Sequence, residues 1–106
     1  MATGPDPPTG LMMVEMVSDT AVTLSWTAPV NTFGNLIANV LTCQPEIQDP
    51  LLVTVSVNVS GSTTSATVSG LENGAGYNCS VEAQNEAGLL SEPSASLRVM
   101  TTEAGR

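Results

Sequence analysis

Apolar and polar residues alternate with a period of two along most of the chain, the signature of strands with one face buried and one face wet. The pattern is cleanest from Ala21 to Thr27, where Val22, Leu24 and Trp26 share one face and Thr23, Ser25 and Thr27 the other. The same test predicts strands at Leu11 to Val17, Leu36 to Cys43, Leu52 to Asn58, Thr63 to Val68, Tyr77 to Ala83 and Ser94 to Thr101. Turn-forming clusters separate them every eight to twelve residues or so, the spacing of an antiparallel sandwich or barrel. Asn39, Leu41 and Cys43 fall on one face of the third strand, Val53, Val55 and Val57 on one face of the fourth, and Tyr77, Cys79, Val81 and Ala83 inward on the sixth. A single seven-stranded sheet would leave an apolar face uncovered, so two sheets packed face to face are expected. Pro45, Pro50 and Pro93 sit at strand ends or edges, where a missing N–H costs little.

Before Leu11, Pro5, Pro7 and Pro8 stand between Gly4 and Gly10. Such a stretch cannot donate a regular ladder and reads as an extended linker or lead-in over residues 1–8, with one domain over 9–102 and a tail at 103–106.

Length and charge narrow the function. A chain of 106 residues with 42% apolar content supports one packed core. Ten acidic residues against two basic ones give a net charge of -8, which opposes binding to phosphate backbones and anionic lipid. Nucleic acid is excluded as a partner. No apolar run is long enough for a membrane-spanning helix, and the first ten residues lack the basic and apolar regions of a signal peptide; if the parent is secreted, its targeting signal is expected outside this chain. Histidine is absent and the two cysteines are 36 positions apart, which removes the usual zinc sets and the Ser-His or Cys-His nucleophile pairs. The scattered carboxylates form no spaced run of the calcium-loop kind. Gly74-Ala75-Gly76 precedes a strand instead of opening a helix, so it reads as a turn and not a phosphate cradle. No catalytic residue, cofactor or metal ligand is predicted, and an enzyme is not expected.

The order of landmarks carries a resemblance. A Pro-rich start, Trp26 on the second strand, Leu71 six residues before Tyr77, and the run Val81-Glu82-Ala83-Gln84-Asn85-Glu86-Ala87-Gly88 together resemble a fibronectin type III domain over Pro7 to about Thr101. The resemblance implies an all-β, seven-stranded, immunoglobulin-like antiparallel sandwich. Trp26 would lie in the central core, and Tyr77 would form a tyrosine corner whose hydroxyl returns to backbone near Leu71. Departures from the family pattern are informative. Asn73 and Ala75 replace the usual Pro and Thr of L-x-P-x-T-x-Y, predicting a softer loop before Tyr77. Asn39 stands where a large aromatic is usual, so either its amide finds partners or that end of the core is partly open. With Trp26, Tyr77 and Phe33 as the only aromatics, Met12, Met13, Met16 and Met100 are expected to fill gaps among the aliphatics.

The resemblance also makes the third and sixth strands antiparallel neighbours, with Leu41 opposite Val81 and therefore Cys43 opposite Cys79. It implies a Cys43–Cys79 disulfide; two buried free thiols are the other reading. A bridge points to an oxidising compartment. Asn58-Val59-Ser60 and Asn78-Cys79-Ser80 are possible N-glycosylation sequons at outward positions. Seven asparagines among 106 residues with 24 Ser and Thr produce about 1.6 such matches by chance, so their number alone carries little weight.

The function expected from the resemblance is a non-catalytic extracellular adhesion or receptor module, a spacer and protein–protein interaction domain in an ectodomain or secreted protein. An intracellular structural repeat and an accessory module of a secreted carbohydrate-active enzyme are the alternatives. Its partners would be proteins or neighbouring domains of the same chain, with no nucleic acid and no membrane insertion by this segment. The Pro29 to Asn35 and Asn85 to Ser91 loops are the candidate contact sites, with Asn85, Glu86, Leu89 and Leu90 as candidate residues. Leu89 and Leu90 either form an apolar tip or have one member tucked beneath the loop. Arg-Gly-Asp is absent from this loop, and Gly88-Leu89-Leu90-Ser91-Glu92 lies near the place of the cytokine-receptor tandem-Trp box, which is missing. With no lysine in the chain, a basic partner surface is favoured.

Overall fold

Val22, Leu24 and Trp26 on one sheet face Leu41, Val81 and Tyr77 on another, and the space between these two rows is the core. The structure is a computed structural model and describes residues 4–47 and 52–102. Among these are seven strands: β1 (Thr9–Ser18), β2 (Ala21–Thr27), β3 (Leu36–Pro45), β4 (Val55–Ser60), β5 (Ser65–Val68), β6 (Gly76–Asn85) and β7 (Leu97–Met100). One sheet has the order β1-β2-β5 and the other β4-β3-β6-β7, with every pairing antiparallel. The fold is a β-sandwich, as the alternation and the resemblance implied. Pro50 lies outside the described residues.

On the central strands β2, β3 and β6 the expected inward set is buried, whereas Val55, Val57 and Val59 of the β4 edge are half-buried. Tyr77, Cys79, Val81 and Ala83 on β6 and Leu41 and Cys43 on β3 are all buried, and Leu71 and Val68 close one end. β1 behaves differently. Its register against β2 slips three times, between Thr9 and Met12, Met13 and Glu15, and Met16 and Ser18. Each bulge adds one residue and changes which side chains face inward. Leu11 and Met16 therefore both pack on the core although they are five positions apart, while Met12 and Met13 are exposed. The expectation that four methionines fill gaps is corrected: Met16 does so, and Met12, Met13 and Met100 face solvent.

Most strand boundaries shift by one to three residues from the sequence reading; β5 begins at Ser65, and Val53, expected to share a face with Val55 and Val57 on the fourth strand, is exposed ahead of β4. β4 begins at Val55 and extends to Ser60, with Val55, Val57 and Val59 inward. β7 is regular only from Leu97. Upstream of it, Pro93 lacks the N–H a ladder needs, and two serines take over part of the pairing. Ser91 N and Ser94 N donate to Ala83 O and Val81 O at 2.7 and 2.9 Å. In return the Ser91 and Ser94 hydroxyls accept from Ala83 N and Val81 N at 2.9 and 3.1 Å. Both serines are buried, so a side-chain oxygen stands where a backbone carbonyl would in a regular strand.

Asn39 is buried and partnered. Its Nδ2 donates to Ser60 O at 3.2 Å, Gly61 O at 3.5 Å and Thr63 O at 3.0 Å, the turn between β4 and β5. That turn runs so close to β3 that a Cβ on Gly61 would stand 2.1 Å from Leu36 O. A small amide in place of an aromatic thus ties the turn inward. Asn39 Oδ1 and Trp26 Nε1 are the two buried side-chain atoms without a hydrogen-bond partner among the described residues.

The Pro-rich start is docked on the sandwich. Pro8 and Pro5 are buried, Asp6 N donates to Asn31 O at 2.8 Å, and Asn31 Nδ2 donates to Asp6 Oδ2 at 3.0 Å.

Candidate interaction surface

Two loops meet at the end of the sandwich where β1 begins: residues 28–35 between β2 and β3, and residues 86–90 after β6. Asn85, the last residue of β6, joins them. Its Nδ2 donates to Thr32 O at 3.3 Å and Phe33 O at 3.2 Å, and its Oδ1 accepts from Ala87 N at 3.1 Å and Leu89 N at 3.3 Å. One carboxamide therefore holds the backbones of Phe33 and Leu89 on its two sides. Glu86 adds a second fastener, donating its N–H to Asn35 O at 2.8 Å while its Oε1 accepts from Asn35 N at 3.1 Å. Within the second loop, Gly88 N donates to Asn85 O at 2.8 Å and Gln84 Nε2 donates to Gly88 O at 3.1 Å. Gly88 has φ 83°, a conformation that glycine adopts without Cβ strain. This is the physical content of the N-x-x-G run: asparagine supplies the bridge and glycine the turn.

What these fasteners hold up is apolar. Phe33 is 55% exposed and Leu90 50%, and Val30 and Leu89 are exposed beside them. Phe33 also has φ 52°, and it is the one non-glycine residue with positive φ among those described. An aromatic side chain held in the left-handed region costs about 1–3 kcal/mol and persists only where the surroundings over-determine it; here the Asn85 bond to its carbonyl helps to do so. Strain spent on presenting an exposed ring is the pattern expected of a contact residue.

The candidate contact residues divide on this geometry. Leu89 and Leu90 are both exposed, so neither is tucked away. Glu86 is exposed but has one carboxylate oxygen committed to Asn35. Asn85 is corrected: it is fully buried and cannot touch a partner, because its amide is consumed in joining the loops. Phe33 lies in the Pro29 to Asn35 loop expected to make contacts but is not among the contact residues expected individually, although its isolation in a polar loop of a chain with three aromatics is a legible signal. The docked start reaches the same end, where a Cβ on Gly4 would lie 2.9 Å from Leu90 O and 3.6 Å from Leu89 Cβ.

At the opposite end, Tyr77 is buried and its hydroxyl accepts from Glu72 N at 2.8 Å, next to Leu71. Thr101 completes this corner. Its hydroxyl donates to Glu72 O at 2.7 Å and accepts from Ala75 N at 2.8 Å, and Gly74 N donates to Thr102 O at 2.9 Å. The loop without the usual Pro and Thr is thus held from β7, a brace that no local motif announces. An open groove of about 410 Å³ beside it is lined by Glu46, Ile47, Leu52, Arg98 and Met100 among others. Arg98 forms an exposed ion pair with Glu46, including Nη2 to Oε1 at 3.1 Å. The hydrogen bond to Glu46, and then its charge, hold the Arg98 guanidinium further above its usual value.

Cys43 and Cys79 are register partners on β3 and β6, with sulfurs bonded at 2.03 Å and Cα atoms 4.0 Å apart. Asn58 and Asn78 are exposed on the outer face of the same sheet. No cluster of three or more His, Cys, Asp or Glu side chains that could hold a metal ion occurs among the described residues. Among the described residues no helix is long and apolar enough to cross a membrane.

The fibronectin type III domain model matches residues 6–100. This chain belongs to the fibronectin type III family. Solved structures agree on the fold of this fibronectin type III domain. A crystal structure of titin domains is 27% identical, with 96% of this chain and 34% of that one covered at TM-score 0.80. The chicken CNTN1 FN1–FN3 domains are 17% identical, with 93% and 31% covered at TM-score 0.78. The twitchin kinase region from C. elegans is 23% identical, with 98% and 18% covered at TM-score 0.80. The chain spans about a third of the length of the titin and CNTN1 segments. A search of curated proteins finds no match. Fibronectin type III domains are generally non-catalytic and commonly act as spacers or interaction modules.

Proposed function

We propose that this domain is an extracellular spacer and protein-interaction module that contacts its partner through the end bearing Phe33, Leu89 and Leu90. The observation that carries the contact assignment is the rigid apolar tip. Asn85 and Glu86 fasten two loops together and leave Phe33, Leu89 and Leu90 in solvent, which removes in advance much of the ordering cost of binding. Asp6, Glu86 and Glu92 lie on the segments forming this end in a chain of net charge -8, so an apolar patch rimmed by basic groups is the complementary surface. The bonded Cys43–Cys79 pair supports the extracellular half of the reading, since such bridges persist where thiols are not kept reduced.

A photo-crosslinking residue at Leu90 in the full-length protein, on the cells that produce it, tests the assignment. Adducts to another protein or to an adjoining domain are expected at Leu90 and not at Thr42 on the outer sheet face. Adducts at Thr42 with none at Leu90 would move the contact surface elsewhere. The 27% identity to a titin segment favours a second reading, an intracellular structural repeat. Differential alkylation in denaturant of the protein from its native cells separates the two, since both cysteines are buried when folded: Cys43 and Cys79 protected until reduction supports the first, and both alkylated before reduction the second.

A further inference from the structure

The sandwich has four open edges: β1 and β5 in one sheet, β4 and β7 in the other. An open edge is a template for another strand, and folded proteins blunt it with bulges, brevity, proline or charge. Three of these edges are blunted. β1 is broken by three register shifts, β5 has four residues, and β7 has four residues, carries Arg98 and follows Pro93.

β4 has none of these devices. It pairs with β3 without a register shift from Val55 to Ser60. Its sequence, Val55-Ser56-Val57-Asn58-Val59-Ser60, contains no charge, proline or glycine, which is the composition most prone to strand addition. The face beside it offers little charge either, since Ser56, Thr42 and Ser80 form one row across β4, β3 and β6, and Asn58, Val40 and Glu82 the next. The one chemical handle on this edge is the sequon, with Asn58 exposed at its centre and Ser60 two residues on.

We propose that Asn58 carries an N-linked glycan that covers the β4 edge and replaces the missing charge or bulge. The proposal rests on the extracellular reading above, because the co-reactant, a lipid-diphosphate oligosaccharide, belongs to the secretory route. Asn58 Nδ2 forms a bond to the anomeric carbon of the sugar, the sugar–phosphate C–O bond breaks, the lipid diphosphate leaves, and one amide proton passes to a base of the transferring enzyme. Asn78 stays unmodified. It lies on an interior strand between Gln44 and Arg98, and the middle residue of its sequon is Cys79, whose bond to Cys43 withdraws the tripeptide from the flexible form a transferase must grip.

The test uses the full-length protein isolated from the cells that produce it. Peptide N-glycosidase converts a glycosylated asparagine to aspartate, and conversion is expected at Asn58 and not at Asn78. Because conversion leaves a carboxylate on the edge, association is read on Ser60→Ala, which keeps Asn58 uncharged and without a glycan and should associate with itself roughly tenfold more tightly than the glycosylated protein in sedimentation. Asn58→Gln should reproduce that association, and adding Ser56→Lys, a charge on the edge, should reverse it. Should the Asn58→Gln chain fail to fold, Ser60→Ala still supplies the measurement. A disulfide-bonded protein with Asn58 unconverted, conversion at Asn78 alone, or a Ser60→Ala protein as monomeric as the glycosylated one overturns the proposal while leaving the extracellular module in place. Reduced cysteines together with an unconverted Asn58 overturn the extracellular reading itself.

Discussion

The side-chain amide of Asn85 donates to the carbonyl of Phe33 at 3.2 Å, across 52 positions of sequence. With the Asn85 bond to Thr32 and the Glu86 bonds to Asn35 it makes two loops one surface, and it helps to hold an aromatic residue at φ 52°. Asn85→Ala should therefore cost about 2–3 kcal/mol, the sum expected for several lost hydrogen bonds around a buried polar site. Hydrogen exchange should speed up at Ala87 and Leu89, whose N–H groups lose their acceptor. Asn85→Asp removes only the donating half, so exchange at Ala87 and Leu89 should stay slow while the 28–35 loop loosens. Urea unfolding and residue-resolved exchange check both.

Phe33 sets stability against contact. Asparagine tolerates the left-handed region far better than phenylalanine, and an exposed ring contributes little burial. Phe33→Asn should therefore stabilise the fold by about 0.5–1 kcal/mol while abolishing crosslinking from Leu90. A thermal melt and the crosslinking yield read the two effects separately; a destabilised variant would mean that the ring packs in a way its exposure does not suggest.

Opening the Cys43–Cys79 bridge releases a loop of about 37 residues, which on the chain-entropy account costs about 3–4 kcal/mol. The Cys43→Ala, Cys79→Ala double variant should show a urea midpoint lowered to match. A loss well under 1 kcal/mol would place the stability of the β3–β6 pair in its ladder and not in the sulfurs.

Asn39 gives a graded series. Asn39→Ala should cost about 1–3 kcal/mol by releasing the β4–β5 turn, and Asn39→Asp more, because a buried carboxylate would face the carbonyls of Ser60, Gly61 and Thr63. Gly61→Ala should match or exceed Asn39→Ala, since its Cβ has only 2.1 Å to Leu36 O and the backbone must move. If Asn39→Asp proves as stable as Asn39→Ala, the amide does not direct its N–H groups at that turn.

Ionic strength tests the charge of the partner. With net charge -8 on this chain and a basic patch opposite, affinity should fall as salt rises and the Debye length shortens. A binding constant that tightens steadily with salt would reject the basic patch.

Alternation marked the existence of seven strands, and in Val22, Leu24 and Trp26 and in Tyr77, Cys79, Val81 and Ala83 it also gave the inward face, because a period of two is a local property of a strand with one buried side. Antiparallel pairing then carries one opposed pair to all others on the same two strands, so Cys43 opposite Cys79 follows from Leu41 opposite Val81. Where a bulge breaks the count, as in β1, that local logic fails and Met12 and Met13 turn outward. What the tertiary structure alone decided are the contacts made by single polar side chains across distant segments: Asn85 with Phe33, Thr101 with Glu72, and Asn39 with Thr63. Their residue types mark them as able to donate or accept, but a donor's reach is a few ångströms and the chain between partners spans tens of residues. Only the packing of the two sheets sets which carbonyl arrives within that reach, and so whether an asparagine becomes a contact, a fastener or an orphan.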